Sequence, residues 1–116
     1  MINSSILKVG DISVGGEIPI VFILGPCQIE NRDHALFMAE KIVKVCEPSS
    51  SKFIFKSSFD KANRSSITSA RGIGIEEGLK ILEEVKLTFS CPVITDVHTT
   101  PQCGIVAEVV LSLIHI

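Results

Sequence analysis

Short apolar runs and longer apolar stripes alternate along this chain, and the alternation switches between period 2 and period 3.6. Ile6 to Val9 and Ile12 to Val14, separated by Gly10-Asp11, predict a β-hairpin within residues 1–16. Ile18 to Leu24 is a seven-residue apolar run with Pro19 inside it, closed by Gly25-Pro26, and predicts a first buried strand. From Arg32 to Glu47 the residues Leu36, Ala39, Ile42, Val43 and Cys46 recur at helical spacing behind Asn31, a suitable N-cap. Pro48 and the serines after it break that helix, and Lys52 to Lys56 predicts a second strand. Ile75, Leu79, Leu82, Val85 and Phe89 form the stripe of a second helix, with Glu76, Glu77, Glu83 and Glu84 on its wet side. Pro92 to Thr95 predicts a third strand. Thr100-Pro101 reads as an N-cap followed by a first-turn proline, opening a third helix that runs to about Val110. Leu111 to Ile116 can open a fourth strand.

Strand, helix, strand, helix, strand, helix, strand with short connections is the order of a parallel α/β fold. Three of the predicted strands end in side chains with chemistry: Cys27 after the first, Lys56 after the second, Asp96 and His98 after the third. In a parallel sheet those ends share one edge, so residues far apart in sequence converge there. That convergence is the main argument, from the residues alone, for an active site.

Charge sharpens the picture at one place. The segment Lys56–Arg71 holds four of the chain's eleven basic residues and carries +3, while the other residues carry −5 of the total −2. A compact positive island on an acidic chain fits a small anion better than nucleic acid. The hydroxyls of Ser57, Ser58, Ser65, Ser66 and Ser69 and the amide of Asn63 are donors that a phosphate or sugar phosphate needs. A solvated loop is the ordinary alternative for such a composition. One domain is expected for 116 residues. The longest early apolar run is far shorter than the ~18 residues of a membrane span, and no apolar leader core follows the start, so a cytoplasmic protein is the default expectation.

Cys27, Cys46, Cys91 and Cys103 contain no Cys-x-x-Cys pair. A zinc site of these four, a disulfide framework and a redox dithiol are all disfavoured. Cys27, in the tight turn after the first strand, can be a buried small side chain or a metal ligand. The other three fall on or beside predicted helices and strands and are expected to pack. Asp96 and His98 point the same way if the third strand continues, and either can orient a carbonyl, move a proton or join a metal shell. Glu30 is expected to do no more than cap the following helix, and His34 and His115 have no evident partner.

The run Phe55-Lys56-Ser57-Ser58-Phe59-Asp60-Lys61-Ala62-Asn63-Arg64-Ser65-Ser66, followed by Arg71-Gly72, closely resembles the signature of the 3-deoxy-D-manno-octulosonate 8-phosphate synthases. Gly25-Pro26-Cys27, Ile29-Glu30 and Thr95-Asp96-Val97-His98 stand at matching places, with Gln102 and Ala107-Glu108-Val109-Val110 beyond. The long run is specific, and the short ones add weight only beside it. The related 3-deoxy-arabino-heptulosonate phosphate synthases share a similar first turn but carry a different basic loop.

This resemblance implies a cytosolic (β/α)8 TIM barrel, usually a homotetramer, that condenses phosphoenolpyruvate with arabinose 5-phosphate on the route to the lipopolysaccharide sugar Kdo. Neither nucleic acid nor membrane is an implied partner. By motif position, Lys56 and Lys61 would hold phosphoenolpyruvate, and Ser57, Asn63, Arg64 and Ser65 would serve the substrate phosphates. Asp96 and His98 would line the pocket. Cys27 corresponds to the metal-dependent class and would be one ligand of a divalent ion whose identity a single thiolate leaves open. A barrel of this kind needs about 250 residues. The chain is therefore expected to be its N-terminal portion, about three and a half β/α units over residues 17–110 behind the hairpin, and inactive by itself. Residues 111–116 depart from the family pattern and are expected not to be native family sequence. The competing expectation is a non-catalytic α/β piece that binds at most a phosphorylated ligand.

Overall fold

The computed structural model of the protein describes residues 5–59, 73–109 and 112–115. Strands β1 (Leu7–Val9) and β2 (Ile12–Val14) pair antiparallel, with Leu7 opposite Val14 and Val9 opposite Ile12. Gly10 closes the turn at φ 60°, a conformation that costs glycine nothing. Strands β3 (Val21–Leu24), β4 (Lys52–Lys56), β5 (Val93–Val97) and β6 (Ser112–His115) form one sheet in that order, every neighbouring pair parallel. Helices α1 (Arg32–Cys46), α2 (Ile75–Phe89) and α3 (Thr100–Val106) connect them. The expected order of elements is thus met, and the fold is α/β with a parallel sheet.

The period-2 alternation along the strands sorts the core into two faces. Phe53, Phe55, Val93 and Val97 join Ala35, Ala39, Leu79, Leu82, Val85 and Val106 in the larger cluster between sheet and helices. Ile54 and Ile94 project from the opposite face and pack with Ile12 of the hairpin, supported by Val9, Val14 and Val21. The hairpin therefore covers the inner face near the start of the strands. The last inward positions of β4 and β5, Lys56 and Asp96, belong to the same face beyond that plug.

Three boundaries differ from expectation. The first strand is four residues long and is not buried: Phe22 and Ile23 are 39% and 53% exposed. A continuous apolar run suits burial on both faces, but among the described residues β3 has a strand neighbour on one side only, and the hairpin cluster reaches its Val21 while leaving Ile23 exposed. The third helix begins one residue earlier in its capping than predicted. Thr99, not Thr100, is the N-cap, because Gln102 three residues on reaches back to complete a capping box, which places Pro101 in the first turn. That helix also ends at Val106, where Glu108 N–H and Val109 N–H close tighter turns onto the Ile105 and Val106 carbonyls, and Lys86 Nζ donates to the Val109 carbonyl at 2.9 Å. Helix α1 does end beside Pro48, which falls in a 3-10 turn over Glu47–Ser49.

Asn31 caps α1 as expected, its Oδ1 accepting from the His34 N–H at 2.8 Å. Glu30 is not the cap. Its carboxylate lies 3.7 Å from His34 Nδ1, a proximity the sequence did not suggest but too long for a hydrogen bond. Arg32 binds Glu84 of α2 with two nitrogens, Nε at 2.7 Å and a terminal nitrogen to the other oxygen, and ties the two helices together. The hydrogen bond from Arg32 lowers the Glu84 pKa below the ordinary glutamate value, against a smaller opposing effect of burial. The guanidinium stays charged throughout, so Glu84 carries the pH dependence. Its contribution is present above the unfolded glutamate pKa and is lost as pH falls through the folded one. Denaturant melts at pH 6 and pH 3 should show a small stability gain at the higher pH that Arg32→Ala abolishes; an equal gain in that variant would remove the pair as its source.

Candidate active site at the C-terminal strand ends

The turn after β3 is built by close approach. A Cβ on Gly25 would overlap the Lys56 carbonyl oxygen and lie 2.8 Å from its carbon, so the backbone of this turn can reach the end of β4 only as glycine. Beyond Gly25-Pro26 the pairing with the β4 side resumes as a parallel bridge between Gln28 and Ser58. Ser58 N–H donates to the Cys27 carbonyl at 3.2 Å, and Ile29 N–H donates to the Ser58 carbonyl at 2.9 Å. Ser57, fully buried, donates its hydroxyl to the Pro26 carbonyl at 2.6 Å, and its own carbonyl accepts from Thr95 Oγ1 at 2.7 Å. Three strand ends are stitched together by these bonds. Ser57 acts here as the tie between turns, its hydroxyl donating to the Pro26 carbonyl.

Around that frame stand the residues with chemistry. Lys56 is half-buried at the end of β4. Asp96 is 6% exposed on β5, and its Oδ1 finds no hydrogen-bond partner among the described residues. Leaving a buried carboxylate oxygen without a donor is costly, and such an atom is a place for a ligand hydroxyl or cation. His98 follows directly, its N–H held by Gln102 Oε1 at 2.8 Å, while the same oxygen receives Thr99 N–H at 3.3 Å. The family-like Gln102 is thus the clamp on the Asp96–His98 turn, a role that becomes visible once the capping box is seen. Lys61, Asn63, Arg64 and Ser65 lie outside the described residues.

Cys27 is exposed on this edge. Among the described residues no three His, Cys, Asp or Glu side chains gather as a metal shell. An accessible thiol at a strand end suits the role of one ligand in a larger set and does not make a site by itself. The remaining thiols are packed, as expected for Cys46 and Cys91, or half-buried, as for Cys103. Burial pushes the Cys91 thiol up to about 11, which keeps it protonated and unreactive at neutral pH. A thiol-labelling time course at pH 7.5 should modify Cys27 first and reach Cys91 only after denaturant is added; fast native labelling of Cys91 would contradict its burial.

Parallel strands with charged groups at one edge define the class, and the comparisons make it specific. The chain matches the DAHP synthetase I family over residues 2–116 and belongs to that family. It is 56% identical over 104 residues to the 2-dehydro-3-deoxyphosphooctonate aldolase of Rickettsia rickettsii (strain Sheila Smith) and 54% identical over 105 residues to that of Rickettsia bellii (strain OSU 85-389). The aldolase of the same name from Rickettsia felis is 55% identical over 104 residues. Each match covers 90% of this chain and 38% of the relative, so the chain spans well under half the length of the curated relatives it matches. Among the described residues no helix is long and apolar enough to cross a membrane.

Proposed function

We propose that this chain forms the first β/α units of a (β/α)8 barrel that joins phosphoenolpyruvate to D-arabinose 5-phosphate, giving 3-deoxy-D-manno-octulosonate 8-phosphate and inorganic phosphate in the cytoplasm. The observation that carries the reading is the convergence of Lys56, Asp96 and Cys27 at one sheet edge, in a chain 54–56% identical to enzymes named for the phosphooctonate product. Active sites of such barrels sit at the C-terminal ends of the strands.

The chemistry asks for two phosphorylated anions side by side. Lys56 and Lys61 offset the charge of phosphoenolpyruvate, and Arg64, with Asn63 and Ser65, holds the phosphate of the sugar. Fixed cations in a partly dry edge lower the repulsion and orient the reacting carbons. Asp96 offers its unpartnered oxygen to a substrate hydroxyl, and His98 stands next to it as a group able to hold or move a proton. Cys27 supplies one thiolate to a divalent ion, which would orient or activate a substrate carbonyl or water. The other ligands come from the further length seen in the relatives, as does a homotetrameric assembly.

The family's name, DAHP synthetase I, favours a second reading in which the acceptor is a four-carbon aldose phosphate. The test measures phosphate release from phosphoenolpyruvate with a divalent ion present, in this chain and in the protein extended to the relatives' length. Turnover with arabinose 5-phosphate in the extended protein, and none in the 116-residue chain, is expected. Turnover with only the four-carbon sugar would replace the substrate, and full activity of the short chain would refute the division of the site.

A further inference from the structure

Thr95 is fully buried in β5 between Val93 and Val97, whose side chains pack with the helices in the larger cluster. Alternation along the strand puts Thr95 on that same helix-facing side, with Ile94 and Asp96 on the other. A hydroxyl in an apolar layer costs free energy unless it is bonded, and valine would fill the same shape with no polar atom to satisfy. The Thr95 hydroxyl is bonded: Oγ1 donates to the Ser57 carbonyl at 2.7 Å. That bond is the physical reason for a threonine there.

The acceptor stands where β4 leaves the sheet. The register of β4 with β5 ends at Lys56 opposite Ile94. The next bond, from Ser57 N–H to the Ile94 carbonyl, is 3.4 Å long, beyond the usual ~2.7–3.2 Å. Ser57 is also drawn toward the turn after β3 through its own hydroxyl, bonded to the Pro26 carbonyl at 2.6 Å. The Thr95 hydroxyl therefore grips the β5 side of a residue at which the ladder is loosening. Lys56 precedes Ser57 and Asp96 follows Thr95, so this bond ties together, from behind, the two residues that face the site. We propose that Thr95 is a positioning residue: its hydroxyl, holding the Ser57 carbonyl on the helix-facing side, fixes the spacing of Lys56 and Asp96 on the inner face. The proposal rests on the phosphoenolpyruvate reading above, and Thr95 itself touches no substrate in it.

The experiment uses the protein extended to the relatives' length. It compares Thr95→Val, which keeps the shape and removes the hydroxyl, with Thr95→Ser, which keeps the hydroxyl and removes the methyl group. One readout is turnover of phosphoenolpyruvate with arabinose 5-phosphate. The other is deuterium exchange, followed by mass spectrometry, in the peptides that carry the Ser58 and Ile29 amides joining the two turns. In Thr95→Val, kcat/KM for phosphoenolpyruvate should fall about tenfold or more, because small misplacements of fixed groups cost that much. Both amides should exchange faster there, while those of α2 keep wild-type protection. Thr95→Ser should match wild type in both readouts. A packing role predicts the reverse order, with Thr95→Ser impaired and Thr95→Val normal, and that result would overturn the proposal. So would faster exchange in Thr95→Val with unchanged kcat/KM, because the bond would then hold the turns without placing the reacting groups. If Thr95→Val does not fold, Thr95→Ser against Thr95→Ala isolates the hydroxyl in the same way, and equal kcat/KM in those two overturns the proposal. If the extended wild-type protein does not turn over phosphoenolpyruvate, the functional reading fails, while the exchange pattern still upholds or rejects the tie through Thr95.

Discussion

Gly25→Ala is expected to remove ~3 kcal/mol or more of stability, enough to unfold much of the protein. The added methyl would fall on the carbonyl of Lys56, and a backbone atom in a strand cannot swing aside as a flexible side chain does. Relief requires parting the turn after β3 from the end of β4. That separation also breaks the Ser57 hydroxyl bond to Pro26 and the Gln28–Ser58 bridge, so the loss spreads beyond one contact. It would move Lys56 and Cys27 apart as well, coupling stability to the site. Gly104→Ala supplies the comparison: open space around it predicts unchanged stability or a gain of about 0.5–1 kcal/mol. Urea melts of the two variants give the answer, and a Gly25→Ala protein as stable as wild type would refute the close approach.

Gly25 also illustrates what the sequence can and cannot convey. Gly-Pro after an apolar run marks a turn, and that much was legible. The reason for the glycine was not, because the Lys56 carbonyl that forbids a Cβ is thirty-one residues away. The same holds for Ser57. Next to a lysine and another serine it reads as an anion donor, and the bond of its hydroxyl to the Pro26 carbonyl could not be read from the sequence. Periodic features fared better. The stripe Ile75, Leu79, Leu82, Val85 and Phe89 gave α2 its full span, and the convergence of Cys27, Lys56 and Asp96 followed from strand order alone.

Errors of the sequence reading fall where one element's environment depends on another. Ile18 to Leu24 looks buried because it is uniformly apolar, but burial is decided by neighbours, and β3 lies at the sheet edge. Thr99 and Thr100 are equal candidates for an N-cap until Gln102 chooses between them. Gly78 carries no motif of its own, and only its approach to Phe59 in space explains a glycine there. The basic run is the opposite case. Its residues from Asp60 to Gly72 are recognised by sequence and lie outside the described structure, so their assignment to substrates stays with the proposal.

The open edge has a second large consequence. Ile20 and Ile23 are 74% and 53% exposed, and Val45 on α1 is 75% exposed beside Phe22. Between Phe22, Leu24, Val45 and Cys46 lies a shallow apolar cavity of about 270 Å³. A strand with free backbone groups and apolar side chains on both faces is a template for pairing with another chain. Burying one such side chain is worth roughly 1.5–3 kcal/mol, so association through several outweighs the usual cost of joining two molecules at micromolar concentration. The 116-residue chain is therefore expected to self-associate or precipitate, with a broad thermal transition. Ile23→Lys, which puts a charge on the exposed inner face of β3, should shift it toward monomer without loss of the α1–α2 core. Sedimentation velocity on both proteins tests this, and a monodisperse wild-type monomer with a sharp two-state melt would show that β3 needs no cover.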